Sequence, residues 1–107
     1  MPPERFTVYA IRLQQEVLKS KRFRIANPNY IDGKDCYYIG MTAKDPKERF
    51  EQHRQGFKSN AFAKKFGVEL MPPEFTLINP RTFEEARRKE RRIALRLRRD
   101  GFGIWQN

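Results

Sequence analysis

The sequence predicts an α+β fold in a single domain, 1–107, and three observations predict it. Runs rich in β-branched and aromatic residues begin at Phe6 and Cys36, two segments open with helix-capping signatures, and the second continues as a long basic helix with an apolar stripe. At 107 residues the chain has room for one modest core and not for two.

Phe6 to Leu13 reads F-T-V-Y-A-I-R-L, a first strand. The next stretch, about residues 14–35, is polar and basic, with Lys19, Lys21, Arg22 and Arg24. It ends in the turn formers Asn27-Pro28-Asn29 and Asp32-Gly33, which predicts a long loop or an extended hairpin. Its cations read equally well as a solvated face or as phosphate contacts. Cys36 to Thr42, C-Y-Y-I-G-M-T, is the second strand. Strand alternation sends Tyr37 and Tyr38 to opposite faces, so at most one of them shares a face with Tyr9. Gly40 is a poor strand former and marks a bulge or the close approach of another group.

Asp45-Pro46-Lys47-Glu48 combines a capping residue, proline at the first helical position and a glutamate three residues after the cap, predicting a helix from Pro46 to about Gln55. Ser59 is positioned to cap a short helix over Asn60 to Phe66, closed by Gly67. After Pro72-Pro73, Phe75 to Ile78 reads as a third strand. Thr82 and Glu85 repeat the capping box and open a helix to Asp100, which Gly101 terminates. The tail, Phe102 to Asn107, is assigned no element.

Lys and Arg total 23 against 13 Asp and Glu, a formal charge of +10, which points to a polyanionic partner. Nucleic acid leads. A membrane surface is the competing polyanion, but no apolar run approaches the roughly 20 residues of a spanning helix, and Met1-Pro2-Pro3-Glu4-Arg5 shows no signal-peptide pattern. The single cysteine, Cys36, cannot form an internal disulfide and, with one histidine, builds no zinc framework. It reads as a small packed residue, and a reducing cytoplasmic setting is expected.

One carboxylate is out of place. The stripe of the long helix runs Phe83, Ala86, Glu90, Ile93, Ala94, Leu97, so Glu90 faces the core. A carboxylate held there needs a counter-charge, either a neighbouring arginine or a metal ion at a phosphate site. On the preceding helix, Arg49 and His53 are four residues apart and address a common ligand. A guanidinium grips phosphate oxygens, and an imidazole can take or pass a proton near neutral pH. Taken individually, an arginine on such a basic chain is usually a solvated charge and a lone histidine is more often structural than catalytic.

Together these residues resemble the GIY-YIG nucleases. The first motif is altered, Thr7-Val8-Tyr9, with threonine and valine where the family has glycine and isoleucine, while Tyr38-Ile39-Gly40 is intact. Arg49 and His53 follow on the next helix, Ala86-Arg87-Arg88-Lys89-Glu90 with Ile93 resembles the helix carrying the metal-binding glutamate, and Asn107 resembles the asparagine that closes the motif set. The resemblance covers Tyr9 to Asn107, and its five motifs lie in the family's order. The 29 positions from Tyr9 to Tyr38 exceed the spacing of compact members, so the basic stretch is an insertion.

The resemblance implies a small three-stranded antiparallel sheet flanked by helices, and a metal-dependent endonuclease that hydrolyses DNA phosphodiesters. Glu90 would hold one Mg²⁺ or Mn²⁺, Arg49 would neutralise charge on the phosphate, and Tyr9 would activate the water. Tyr9 has an ordinary pKa near 10, so Arg49, the metal or His53 must favour its phenolate or accept its proton. Tyr38 would orient the water or bond the phosphate, and Asn107 would donate a hydrogen bond near the metal or buttress the site. Affinity is expected from Lys19, Lys21, Arg22 and Arg24 with Arg88, Arg92 and Arg99. DNA is the expected partner, RNA is the other candidate, and among protein partners a homodimer would suit double-strand cutting while a partner chain would supply specificity. No zinc-finger or spare helix-turn-helix pattern is present, so substrate is read by its structure, by the insertion or by a partner. The competing reading is a non-catalytic basic nucleic-acid binder on the same fold. A protein-binding subunit would need a broad apolar patch, which the sequence does not offer.

Overall fold

Two seven-residue strands, β1 (Thr7–Leu13) and β2 (Cys36–Thr42), run antiparallel in unbroken register from Thr7 opposite Thr42 to Leu13 opposite Cys36. They form the centre of a computed structural model that describes residues 5–56, 60–76 and 82–106. The α+β class is as expected. The sheet, however, has four strands among the described residues and is mixed, in the order β3-β1-β2-β4.

The three-stranded antiparallel expectation is corrected at both edges. The third strand is not Phe75–Ile78, because Pro73–Thr76 is a helical turn and residues 77–78 lie outside the described residues. Proline at a helix start gives up an N–H that would have had no helical partner. The Thr76 hydroxyl then anchors the turn to the carbonyls of Pro73 and Val8, both at 3.2 Å. The strand is β3 (Gly67–Leu70), antiparallel to β1, with a register shift at Arg12/Leu13. It is short, exposed at Val68 and carries the 2.9 Å Arg12–Glu69 ion pair, features that blunt a sheet edge. At the other edge the tail forms β4 (Gly103–Gln106), parallel to β2.

The insertion is not a loop or a hairpin. Gln15–Lys19 is a 3₁₀ turn and α1 (Lys21–Ala26) is a helix, capped by the Ser20 hydroxyl on the amide of Phe23. Val17 and Phe23 are fully buried, and their burial folds the segment onto the sheet. Asn27, expected in a turn, is 4 % exposed. Its amide accepts from Ile104 N–H at 2.8 Å and donates to the carbonyls of Ile104 and Phe23 at 3.0 and 2.9 Å. The side chain thereby replaces a neighbouring strand along the free edge of β4.

Four helices complete the chain: α2 (Pro46–Gln55), α3 (Ala61–Phe66), α4 (Pro73–Thr76) and α5 (Phe83–Arg99). The expected caps Asp45 and Thr82 bond the amides of Lys47 and Glu85. For α3 the cap is Asn60, whose side chain accepts from Phe62 and Ala63; Ser59 lies outside the described residues. Gly101, at φ +94°, ends α5 in the left-handed conformation that glycine favours.

The sheet separates two apolar layers. Val8, Ala10, Tyr37 and Ile39 pack against Ala86, Ile93, Ala94 and Leu97 of α5. Tyr9, Ile11, Leu13, Cys36 and Tyr38 pack against Val17, Phe23, Phe62 and Ala63. Phe83 leaves the predicted stripe: it is 47 % exposed and meets Phe6 edge-on. No helix of the described residues is long and apolar enough to cross a membrane.

Candidate active site

Tyr9 and Tyr38 lie on the same sheet face, and Tyr37 on the other, where its hydroxyl donates to Asp35 at 3.3 Å. Gly40 sits directly opposite Tyr9 in the ladder. A Cβ there would stand 2.7 Å from Tyr9 Oη and 3.0 Å from Tyr38 Cε1, so the motif glycine makes room for the tyrosine ring. This is the close approach that the sequence suggests at this position.

His53, on the last turn of α2, is completely buried against both rings, with centroids 6.2 Å from Tyr9 and 5.3 Å from Tyr38. Its Nε2 lies 2.9 Å from Tyr9 Oη, and its Nδ1 accepts the backbone N–H of Asn60 at 3.3 Å. Burial and the nearby Arg49 charge push the His53 pKa down to about 4, so the ring is neutral at physiological pH. A backbone amide can only donate. Nδ1 is therefore the bare nitrogen, Nε2 carries the proton, and His53 donates to the Tyr9 oxygen. Tyr9 also hydrogen-bonds Tyr38, an interaction that raises the Tyr9 pKa. The Asn60 amide, His53, Tyr9 and Tyr38 thus form one hydrogen-bonded chain.

Tyr9 is held well above the ordinary phenol range, first by burial, then by Tyr38, while Arg49 acts in the opposite sense. Arg49 lies one turn before His53 on α2, half-buried, with a hydrogen bond to Gln52 at 3.1 Å. The Glu90 charge also raises Tyr9, so the carboxylate on α5 is felt at the tyrosine although the two belong to different packing layers.

Glu90 faces inward as its place on the stripe predicts, at 6 % exposure. It makes no ion pair with a described residue. Burial raises its pKa to about 7, and Arg87 and Arg91 offset this only in part. The arginine-pair reading is therefore not realised among the described residues. These residues hold no group of three or more His, Cys, Asp or Glu that could hold a metal ion. A single unpaired, inward carboxylate nevertheless fits Mg²⁺ or Mn²⁺, because such ions are held through one or two carboxylates, keep several waters and take substrate phosphate oxygens. Asn107 lies outside the described residues.

The basic residues do not form one surface. Arg88, Arg92 and Arg99 line shallow hollows on the exposed side of α5, with Arg91 and Arg96. Lys19, Lys21, Arg22 and Arg24 belong to the insertion, which packs on the opposite face of the sheet. Cys36 is buried, and burial with the Asp35 charge pushes its thiol up to about 11, so it stays protonated. Sequence reasoning missed Asn60, whose amide sets the His53 tautomer. A helix-capping asparagine seven residues after the histidine was the available signal.

The chain matches no protein-family model, no curated protein and no solved structure.

Proposed function

We propose that this chain is a metal-dependent endonuclease that hydrolyses phosphodiester bonds in DNA at a GIY-YIG-type site, in a reducing, cytoplasmic setting. One observation carries the reading: Tyr9 is hydrogen-bonded to His53 at 2.9 Å and to Tyr38, with Arg49 and Glu90, which has no ion pair among the described residues, both within electrostatic reach. A pure binder has no use for an inward carboxylate beside bound phosphate, since it opposes the affinity that the basic surfaces supply.

Glu90 is the residue that would hold Mg²⁺ or Mn²⁺, and the GIY-YIG resemblance gives Asn107 a supporting role in such a site. When bound, such an ion stabilises charge on the scissile phosphate and the leaving oxygen. Arg49 neutralises charge on the same phosphate with its guanidinium. Tyr9 would take a proton from the attacking water as its phenolate, having first released its own proton to solvent; Arg49 favours that ionised form, against burial and the charge of Glu90. His53 cannot accept the Tyr9 proton at Nε2, because that nitrogen already bears one. It holds the ring and stabilises the phenolate by donating to it. Tyr38, on the same sheet face, would orient the water or bond the phosphate. A homodimer would place two such sites on a duplex, and a partner chain would supply specificity.

A non-catalytic basic nucleic-acid-binding protein is the second reading. The feature favouring it is that Tyr9 is harder to deprotonate than an ordinary tyrosine. Incubation of supercoiled plasmid and branched DNA with the protein and Mg²⁺ or Mn²⁺ separates the two. The nuclease reading expects nicked or linear product that disappears with EDTA and with Glu90→Ala. Salt-sensitive binding without cutting, unchanged by Glu90→Ala, would establish the binder.

A further inference from the structure

The insertion and α3 enclose a surface groove of about 630 Å³ on the same face of the sheet as Tyr9 and His53. Its walls carry Lys19, Arg22 and Lys65, and its floor carries Phe62 and the half-buried Phe66. Phe62 and Phe66 are stacked, with centroids 6.4 Å apart at 24°. Arg22 sits over the rings of Phe62 and Trp105, at 5.6 and 5.2 Å, and Lys65 over Phe66 at 5.3 Å. The one carboxylate in the walls, Glu16, is paired with Lys19 at 2.7 Å. Neither Arg22 nor Lys65 forms an ion pair with a described carboxylate, so two cations remain for an outside anion.

We infer that this groove takes an unpaired strand of the nucleic-acid substrate, so that the preferred substrate carries single-stranded DNA beside the cut. The inference rests on the nuclease reading and names its substrate class. Cations alone would serve a duplex equally well. The part-exposed ring of Phe66 adds something that only unpaired bases use, because the bases of a duplex are already stacked on one another. The groove also continues from the site. α3 is capped by Asn60, the residue bonded to His53, and its six residues, Ala61–Phe66, span about 9 Å. A strand leaving the phosphate at Tyr9 therefore meets the aromatic floor within a short distance.

The test compares three DNA probes of shared sequence, a blunt duplex, the same duplex with a single-stranded overhang, and the overhang strand alone, bound to the full chain in EDTA by fluorescence anisotropy. The overhang duplex is expected to bind about tenfold tighter than the blunt one, as stacking of one base on an aromatic ring gives. Phe66→Leu keeps the apolar bulk and removes the ring, so it should abolish that preference and leave blunt-duplex affinity unchanged. Equal binding of the blunt and overhang duplexes overturns the inference. So does a Phe66→Leu loss shared by both probes. If Phe66→Leu fails to fold, the exposed Lys65→Ala carries the test: it should weaken the overhang duplex selectively, and equal weakening of both duplexes overturns the proposal. Cleavage after Mg²⁺ addition is scored separately. Cutting without overhang preference overturns the groove alone, whereas preference without cutting supports the groove and removes the nuclease reading.

Discussion

His53 on α2 and Glu90 on α5 are both buried and both pushed toward their neutral forms by the same cause, yet their surroundings differ. His53 has a partner on each ring nitrogen, the Asn60 amide and the Tyr9 hydroxyl. Glu90 has no ion-pair partner among the described residues, and its pKa rises to about 7. Burial with full partnership makes a structural element that orients Tyr9. Burial without a counter-charge leaves a residue that destabilises the fold when ionised and that a cation would relieve.

The largest expected effect separates chemistry from folding. Tyr9→Phe removes the proposed base and should lower the cleavage rate by about 10²–10⁴-fold, read from single-turnover cutting of labelled DNA, with little change in binding. Loss of binding in equal measure would move Tyr9 from catalysis to affinity. Next, the two buried groups should respond oppositely to removal. His53→Ala empties a filled site and leaves the Asn60 amide without its acceptor, a cost of roughly 2–4 kcal/mol in urea unfolding.

Glu90→Gln should do the reverse in metal-free buffer. A carboxyl whose folded pKa is raised from 4.5 to about 7 contributes stability that is fully present below pH 4.5 and is lost as pH rises through 7. At pH 8 the ionised wild type is therefore penalised, and the glutamine variant should be more stable by up to about 3 kcal/mol. The difference should close by about pH 4.5. A variant less stable than wild type at pH 8 would mean that Glu90 is already paired. The smallest effect tests the room left for Tyr9: Gly40→Ala should cost about 1–3 kcal/mol and should be largely relieved by Tyr9→Ala in a double-mutant cycle.

The parts of the fold that were legible carry strong local signals. Asp45-Pro46 and Thr82 with Glu85 are self-contained caps, and the helices they open begin where predicted. Strand alternation allowed at most one of Tyr37 and Tyr38 to share a face with Tyr9, and it is Tyr38 that does; the misplaced carboxylate in the α5 stripe is buried as its spacing required. What escaped depends on long-range partners. β3 follows α3 with no turn residues between them, and its four positions gain strand structure from β1. β4 exists because Asn27, 77 positions earlier than Ile104, covers its outer edge. In the insertion, Val17 and Phe23 are too few to display a helical period, so their anchoring role was hidden beneath the charge. The same limit hid the Asn60 contact that fixes the His53 tautomer.

His53 is the only histidine, which makes the central claim measurable at a single resonance. Titrating Mn²⁺ into the protein while following the His53 ring protons by NMR asks directly whether Glu90 holds a cation beside the Tyr9–His53 pair. Paramagnetic broadening of those signals in the wild type, lost in Glu90→Gln, is the predicted result. Equal broadening in both proteins, or none in either, would contradict it.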